Sequence, residues 1–239
     1  MTITDCPWEI ENIGKTTVEI NISPDDVFDH SCLTSTNNYD YVVVKVPMKK
    51  IDYNRGLGLL GFTMMENQMK ISKKLTTVYH DSITDHVSFE ELKPDDDIRR
   101  IVKNMTPSMF STDRITLDNE FGPLVGMRRY ANWLISDFNS GKSRVAIVKY
   151  YSDEVGFMMF RILGNTFHLL LNGLYEPWQG KHLGIITPSS PETFIHQHSL
   201  QANMVETTIS SNNIPVVKLY SRIGFEVSSQ TYVFTKHNS

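Results

Sequence analysis

The sequence predicts an α/β fold: a mixed sheet flanked by helices, preceded by a smaller α/β unit. Three observations carry this expectation. Strand-length runs rich in apolar and β-branched residues recur at residues 39–47 (YDYVVVKVP), 155–163 (VGFMMFRIL) and 167–175 (FHLLLNGLY). Segments with apolar residues at helical spacing alternate with them; in the clearest, Val216, Leu219, Tyr220 and Ile223 fall at i, i+3, i+4 and i+7. The chain has 239 residues, 40% hydrophobic and 21% charged, enough to bury the core of one large domain or two small ones.

Taken in order, residues 39–47 read as a strand. Residues 49–60 read as a helix that stops at Gly61, and residues 62–75 as a second strand. This unit carries no nucleophile, no paired acids and no glycine-rich loop, so it reads as scaffold or as acceptor-binding surface. Residues 76–105 form a polar bridge with Lys93-Pro94 and the run Asp95, Asp96, Asp97. Such a run suits a solvated face or a helix N-terminus, and IRRIVKNM after it looks helical. A boundary near residue 105 divides the chain into an N-terminal α/β domain, 1–105, and a catalytic domain, 106–239.

In the second part, a helix is expected over 123–138, with Leu124, Met127, Tyr130, Trp133 and Leu134 on an apolar face. Strands follow at 144–151, 155–163 and 167–175. The last two are nearly continuous in apolar residues and suit central strands covered on both faces. A helix is expected from Ser190, with Pro191 in its first turn and Glu192 behind it. Next come a strand at 204–210, a helix over 213–223 capped by Asn213 and stopped at Gly224, and a closing strand at 225–235.

Charge and composition remove several function classes. There are 23 basic and 27 acidic residues, for a net charge of −4, so nothing draws the whole chain to nucleic acid or anionic lipid. No apolar run approaches the roughly 18 residues of a membrane span. The N-terminus, MTITDCPWEIENIG, is polar and acidic, which leads us to expect a cytoplasmic protein. Cys6 and Cys32 have no CxxC spacing and no histidine cluster beside them, so neither a disulfide nor a metal site is expected.

Two segments carry candidate chemistry. Gln179-Gly180-Lys181-His182-Leu183-Gly184 joins a buried strand to a helix. Glycine lets backbone N–H groups face outward there, and amides at a helix start form an anion cradle. The alternative is a tight turn with a solvated Lys181. In the second segment Asn213 starts a helix and Tyr220 follows about two turns later. A phenol at that point suits proton donation to a leaving thiolate, or simple core packing.

The order of elements and these two segments together resemble the GNAT superfamily of acyl-CoA-dependent N-acyltransferases. QGKHLG is similar to the superfamily's Q/R-x-x-G-x-G/A loop at Gln179 and Gly184. NNIPVVKLYSRIGFE is similar to its N-x-x-A-x-x-L-Y-x-x-x-G-F signature at Asn213, Leu219, Tyr220, Gly224 and Phe225. His182 stands at the usual glycine position, and Val216 replaces the usual small residue. More loosely, residues 39–68 and the stretch FSTDRITLDNEF…RRYANW resemble the nucleotide-sugar members of the superfamily, such as dTDP-fucosamine acetyltransferases.

The resemblance implies a mixed sheet that splays between its fourth and fifth strands, and acyl transfer from acyl-CoA, acetyl or larger. The acceptor would be the amino group of a dTDP-linked amino-deoxysugar destined for cell-surface polysaccharide. CoA would lie on Gln179, Gly180, Lys181, His182, Leu183 and Gly184, with Asn213 on the pantetheine arm or capping its helix. Tyr220 would protonate the CoA thiolate. The amides of Leu174 and Tyr175 would hold the carbonyl oxygen, and Glu176 would be the conventional base. Arg114, Asp113 and Tyr130 would meet the sugar nucleotide, with Arg128, Arg129 and Trp133 as further candidates. Met158, Met159 and Leu171 would line an acyl pocket or serve as core. No metal and no covalent acyl-enzyme are expected. The implied partners are small molecules, with a homodimer left open. Another small amine or a peptide as acceptor, and a non-catalytic acyl-CoA-binding module, are the alternatives.

Overall fold

A computed structural model describes residues 1–28, 33, 36–76 and 79–238. Cys32 lies outside the described residues. Ten strands share one sheet, in the order β1-β2-β3-β10-β4-β9-β8-β7-β6-β5. They are β1 (Thr2–Asp5), β2 (Thr17–Asn21), β3 (Tyr41–Pro47), β4 (Thr63–Lys74), β5 (Val87–Glu91), β6 (Arg144–Tyr150), β7 (Asp153–Leu163), β8 (Thr166–Leu174), β9 (Met204–Ser210) and β10 (Glu226–His237). Neighbours run antiparallel except β2 with β3 and β8 with β9, which are parallel. Among the described residues the α-helices include α1 (Glu9–Ile13), α2 (Ile51–Leu59), α3 (Arg99–Val102), α4 (Gly122–Asn139), α5 (Ile186–Gln197) and α6 (Ile214–Arg222). None of the described helices is long and apolar enough to cross a membrane.

Strand alternation sorts the core onto the two faces of the sheet. Met158 and Phe160 of β7 pack with Phe194 and Ile195 of α5. Their neighbours Phe157 and Met159 pack with Leu134 and Phe138 of α4 on the opposite side. Strand β7 is therefore covered twice, as its unbroken apolar run requires. Met158 and Met159 are wholly core.

The boundary expected near residue 105 does not separate two sheets. Strand β10 runs between β3 and β4, with Phe234 opposite Val44 on one side and Met64 on the other. Strands from both halves of the sequence therefore share one hydrogen-bonded ladder.

Several elements differ from the sequence expectation. The polar bridge contains β5, an edge strand paired to β6. Only Val87 and Phe89 give it apolar content; Glu90 and Glu91 carry the charges that keep edge strands from pairing further, and they meet Lys149, Arg100 and Arg144. Helix α5 starts at Ile186, so Pro191 sits inside it and not in its first turn. Segments β1, α1 and β2 extend the N-terminal unit to a part of the chain for which no element was expected.

Candidate active site

Strands β8 and β9 pair in parallel only from Thr166 opposite Met204 to Leu169 opposite Thr207. Beyond that point β8 continues to Leu174 and β9 to Ser210 without pairing to each other. The cause is local. A bulge in β8 at Leu170, seen as the register shift between Met159/Leu171 and Phe160/Leu169, bends the strand away. The two strands part into a slot that opens on a cavity of about 1000 Å³, lined by residues 170–174 of β8 and residues 207–210 of β9.

The backbone groups of β8 alternate across this slot. The N–H of Tyr175 donates to Val155 O at 2.8 Å, and a Cβ at Gly156 would collide with Gly173 O, so residues 173 and 175 face β7. By strand alternation the main-chain groups of Asn172 and Leu174 face the slot. The carbonyl of Leu174 is already bonded there by Gln179 Nε2 at 2.9 Å. The Leu174 N–H therefore faces the slot as well. The Tyr175 N–H is spent on β7, which corrects its assignment as a second donor.

Beside the slot, the backbone N–H groups of residues 180–185 donate to no acceptor among the described residues. They run directly into the first turn of α5, the arrangement that binds a phosphate group. Gly180 takes φ +71° and His182 takes φ +62°, both in the left-handed region. That explains why glycine is the usual residue at 182. Gln179, Gly180 and Gly184 line the cavity; Lys181, His182 and Leu183 do not. Leu183 is anchored in the core, and the Lys181 ammonium lies 5.0 Å above the Trp178 ring.

Tyr220 lines the cavity from α6 and is 3% exposed. Its ring meets Phe225 edge-on at 4.9 Å. Burial pushes its phenol well above the ordinary tyrosine range, and a hydrogen bond from Asn172 partly offsets that. The Asn172 Nδ2 also donates to Thr187 O at 2.8 Å. Pro191, four residues on, has no N–H to claim that carbonyl. Asn213 caps α6, its Oδ1 accepting from Val216 N at 3.3 Å, and it too lines the cavity.

The far half of the cavity is built by the N-terminal unit, α4 and the loop before it. Arg114 is 7% exposed, its Nε has no partner, and its nearest carboxylate oxygen, on Glu9, lies 3.7 Å away. A buried guanidinium so poorly matched by protein is suited to an incoming anion. Tyr130 stacks on Phe110, with ring centroids 4.5 Å apart. Asp113 lines the cavity, but its oxygens bond Ile115 N at 2.9 Å and Thr116 Oγ1 at 2.9 Å, so it folds the turn.

Trp133 and Arg129 also line the cavity, but Arg129 and several other candidates serve the fold. Glu176 is exposed in the short turn Glu176–Trp178, and it does not line the cavity. Arg129 is held by Glu9, with Nη2 to Oε1 at 2.7 Å, and Arg128 donates to Asn12 O at 2.7 Å, so both fix α1 onto α4. The Cys6 thiol is buried and pushed up to about 11 by that burial, with Glu19 and Glu9 adding to the effect, which makes it a poor nucleophile. Sequence reasoning missed Glu66, Asn172 and Gln68, which also line the cavity. Gln68 and Glu66 sit in a unit whose sequence reads as scaffold or acceptor-binding surface, with nothing that marks these two residues.

No protein-family profile matches the chain, and no curated protein does. Solved structures do match. A GCN5-related N-acetyltransferase from Sphaerobacter thermophilus aligns with TM-score 0.57 and 13% identity over 82% of this chain; the alignment spans 59% of that protein. One from Kribbella flavida aligns with TM-score 0.58 and 9% identity, over 92% of this chain and 81% of that one. The glucosamine N-acetyltransferase region of a fungal multi-domain β-N-acetylglucosaminidase aligns with TM-score 0.54 and 9% identity, over 82% of this chain and 25% of that one. The chain thus has the fold of the GCN5-related N-acetyltransferases, a large mixed sheet flanked by helices.

Proposed function

We propose that the protein transfers an acyl group from acyl-CoA to an amine held in the far half of the cavity. The observation that carries this reading is the slot between β8 and β9, set beside the unclaimed amides of residues 180–185. Those amides and the start of α5 take the CoA diphosphate, with Gln179, Gly180 and Gly184 forming the cavity wall beside it. The pantetheine arm lies in the slot past Asn213. The thioester oxygen meets the Leu174 N–H, which stabilises the negative charge that develops on it. Tyr220 delivers its proton to the sulfur as the C–S bond breaks. Burial keeps the phenol protonated and so able to donate.

The acceptor on this reading is a nucleotide-linked amino sugar. A cavity of about 1000 Å³ has room for an acceptor much larger than a simple amine. The underused Arg114 guanidinium suits a diphosphate, and the Tyr130–Phe110 pair offers an aromatic surface at the same end. The fungal neighbour's described acceptor, glucosamine, supports the amino-sugar class. A screen of CoA release that crosses several acyl-CoAs with dTDP- and UDP-linked amino sugars tests the assignment. Turnover with a nucleotide-linked amino sugar supports it. Turnover confined to polyamines or peptides refutes the sugar acceptor, and acyl-CoA binding without turnover on any amine refutes catalysis.

A further inference from the structure

An amine attacks a thioester only as the free base, and with Glu176 on the surface the acyl-transfer reading has no proton acceptor. We propose that Glu66 of β4 takes the proton from the acceptor ammonium, directly or through one water. This inference rests on the acyl-transfer reading and assigns its missing catalytic residue.

Four observations converge on Glu66. It lines the cavity and is 3% exposed. Its strand neighbours β9, the strand that forms one wall of the slot, and Glu66 lies two residues beyond the last β4–β9 pair, Gln68 with Ser210. Its Oε1 accepts from Gln68 Nε2 at 2.9 Å, which orients the carboxyl without neutralising it. Finally, it has no ion-pair partner among the described residues, whereas the other carboxylates that line the cavity are excluded. Asp113 is bonded within its own turn, Asp137 pairs with Arg161 at 2.5 Å, and Glu11 is exposed to solvent.

The groups that face Glu66 set its proton affinity. Burial raises it, Asp113 raises it further, and Arg114, Gln68 and Ser210 lower it; the balance leaves Glu66 above the ordinary carboxylate range. More distant charges in the same layer are already paired, Arg129 with Glu9 and Lys45 with Glu19. A carboxylate raised in this way is a stronger base than one in water.

The acceptor enters as an ammonium ion and gives one proton to Glu66, which leaves a lone pair on nitrogen. That lone pair forms the bond to the acyl carbon, and the C–S bond breaks with its electrons on sulfur. Tyr220 gives its proton to the sulfur and regains one from the attacking nitrogen. Glu66 returns its proton to solvent, so the products are an amide, CoA thiol and one released proton.

The test uses the full chain with acetyl-CoA as donor. Ethylamine, protonated at neutral pH, and hydroxylamine, a free base there, serve as acceptors. Wild type is measured first: if it neither binds acetyl-CoA nor releases CoA with either amine, the acyl-transfer reading falls and takes this proposal with it. With wild type active, Glu66→Gln should keep its acetyl-CoA affinity. It should lose about 10²-fold in rate with ethylamine, lose the acidic limb of the pH–rate profile, and keep a hydroxylamine rate close to that of wild type. Equal losses with both amines, or an unchanged acidic limb, overturn the proposal. If Glu66→Gln does not fold, Glu66→Asp decides. A slowed ethylamine reaction with hydroxylamine unaffected supports the role, and parallel slowing refutes it.

Discussion

The side-chain amide of Asn172 donates to the carbonyl oxygen of Thr187 at 2.8 Å, the carbonyl that Pro191 leaves without a helical partner. One proline thus ties β8 at the slot to the first turn of α5, and Asn172 also lowers the proton affinity of the Tyr220 phenol. Removing Asn172 leaves a carbonyl unpaired, at a cost of about 1–3 kcal/mol. Pro191→Ala restores an N–H that the helix uses for Thr187. In urea unfolding, Asn172→Ala should therefore destabilise the wild-type background more than the Pro191→Ala background. Equal costs in the two backgrounds contradict the coupling.

Tyr220→Phe should leave acyl-CoA binding intact and lower turnover about 10²- to 10⁴-fold. Because burial holds the phenol above its ordinary range, Tyr220 stays protonated across the usual assay range. The wild-type rate should show no basic limb from this group near neutral pH. Steady-state rates and acyl-CoA titration of the same variant check both points.

At His182 the backbone is left-handed with an ordinary side chain, which costs about 1 kcal/mol relative to glycine. The side chain does not line the cavity. His182→Gly should raise stability by about that amount and leave acyl-CoA affinity near wild type, read by denaturant unfolding and titration. A loss of stability refutes the strain.

Glu9 anchors α1 to α4 through Arg129 and is 1% exposed. Burial alone would raise its carboxyl, but the hydrogen bonds and charge of Arg129, then Arg114 and Asn12, outweigh that and hold it low. A carboxyl lowered by folding contributes stability above its unfolded value, about 4.3. That contribution disappears as pH falls through the folded value. Glu9→Gln should cost about 3–5 kcal/mol at pH 7, and the gap to wild type should shrink steadily below pH 4. A constant gap contradicts the assignment.

Much of the C-terminal half was legible in the sequence because its information is local. Helix α6 carries its cap, apolar stripe and stop within a dozen residues, and β7 and β8 are apolar throughout. The parts that stayed hidden depend on partners far away in the chain. Strand β5 is recognisable only once β6 is beside it. Helix α5 runs through Pro191 because Asn172 on another strand supplies the missing donor, so a local rule placed its start a turn too late. Glu66 looked like one polar residue in a mixed strand; its role arises from Arg114, Asp113 and Ser210, which folding brings around it. Glu176 is singled out in sequence by its position after β8 alone, which says nothing of its exposure in the folded chain.

The central claim is that the unclaimed amides beside the parted strands receive acyl-CoA. Hydrogen exchange of the full chain, followed by mass spectrometry with and without acetyl-CoA, tests it most directly. The account predicts that protection on binding concentrates in residues 180–185 and in the end of β8, residues 170–174. Exchange unchanged there, at acetyl-CoA concentrations that saturate the protein, would contradict it.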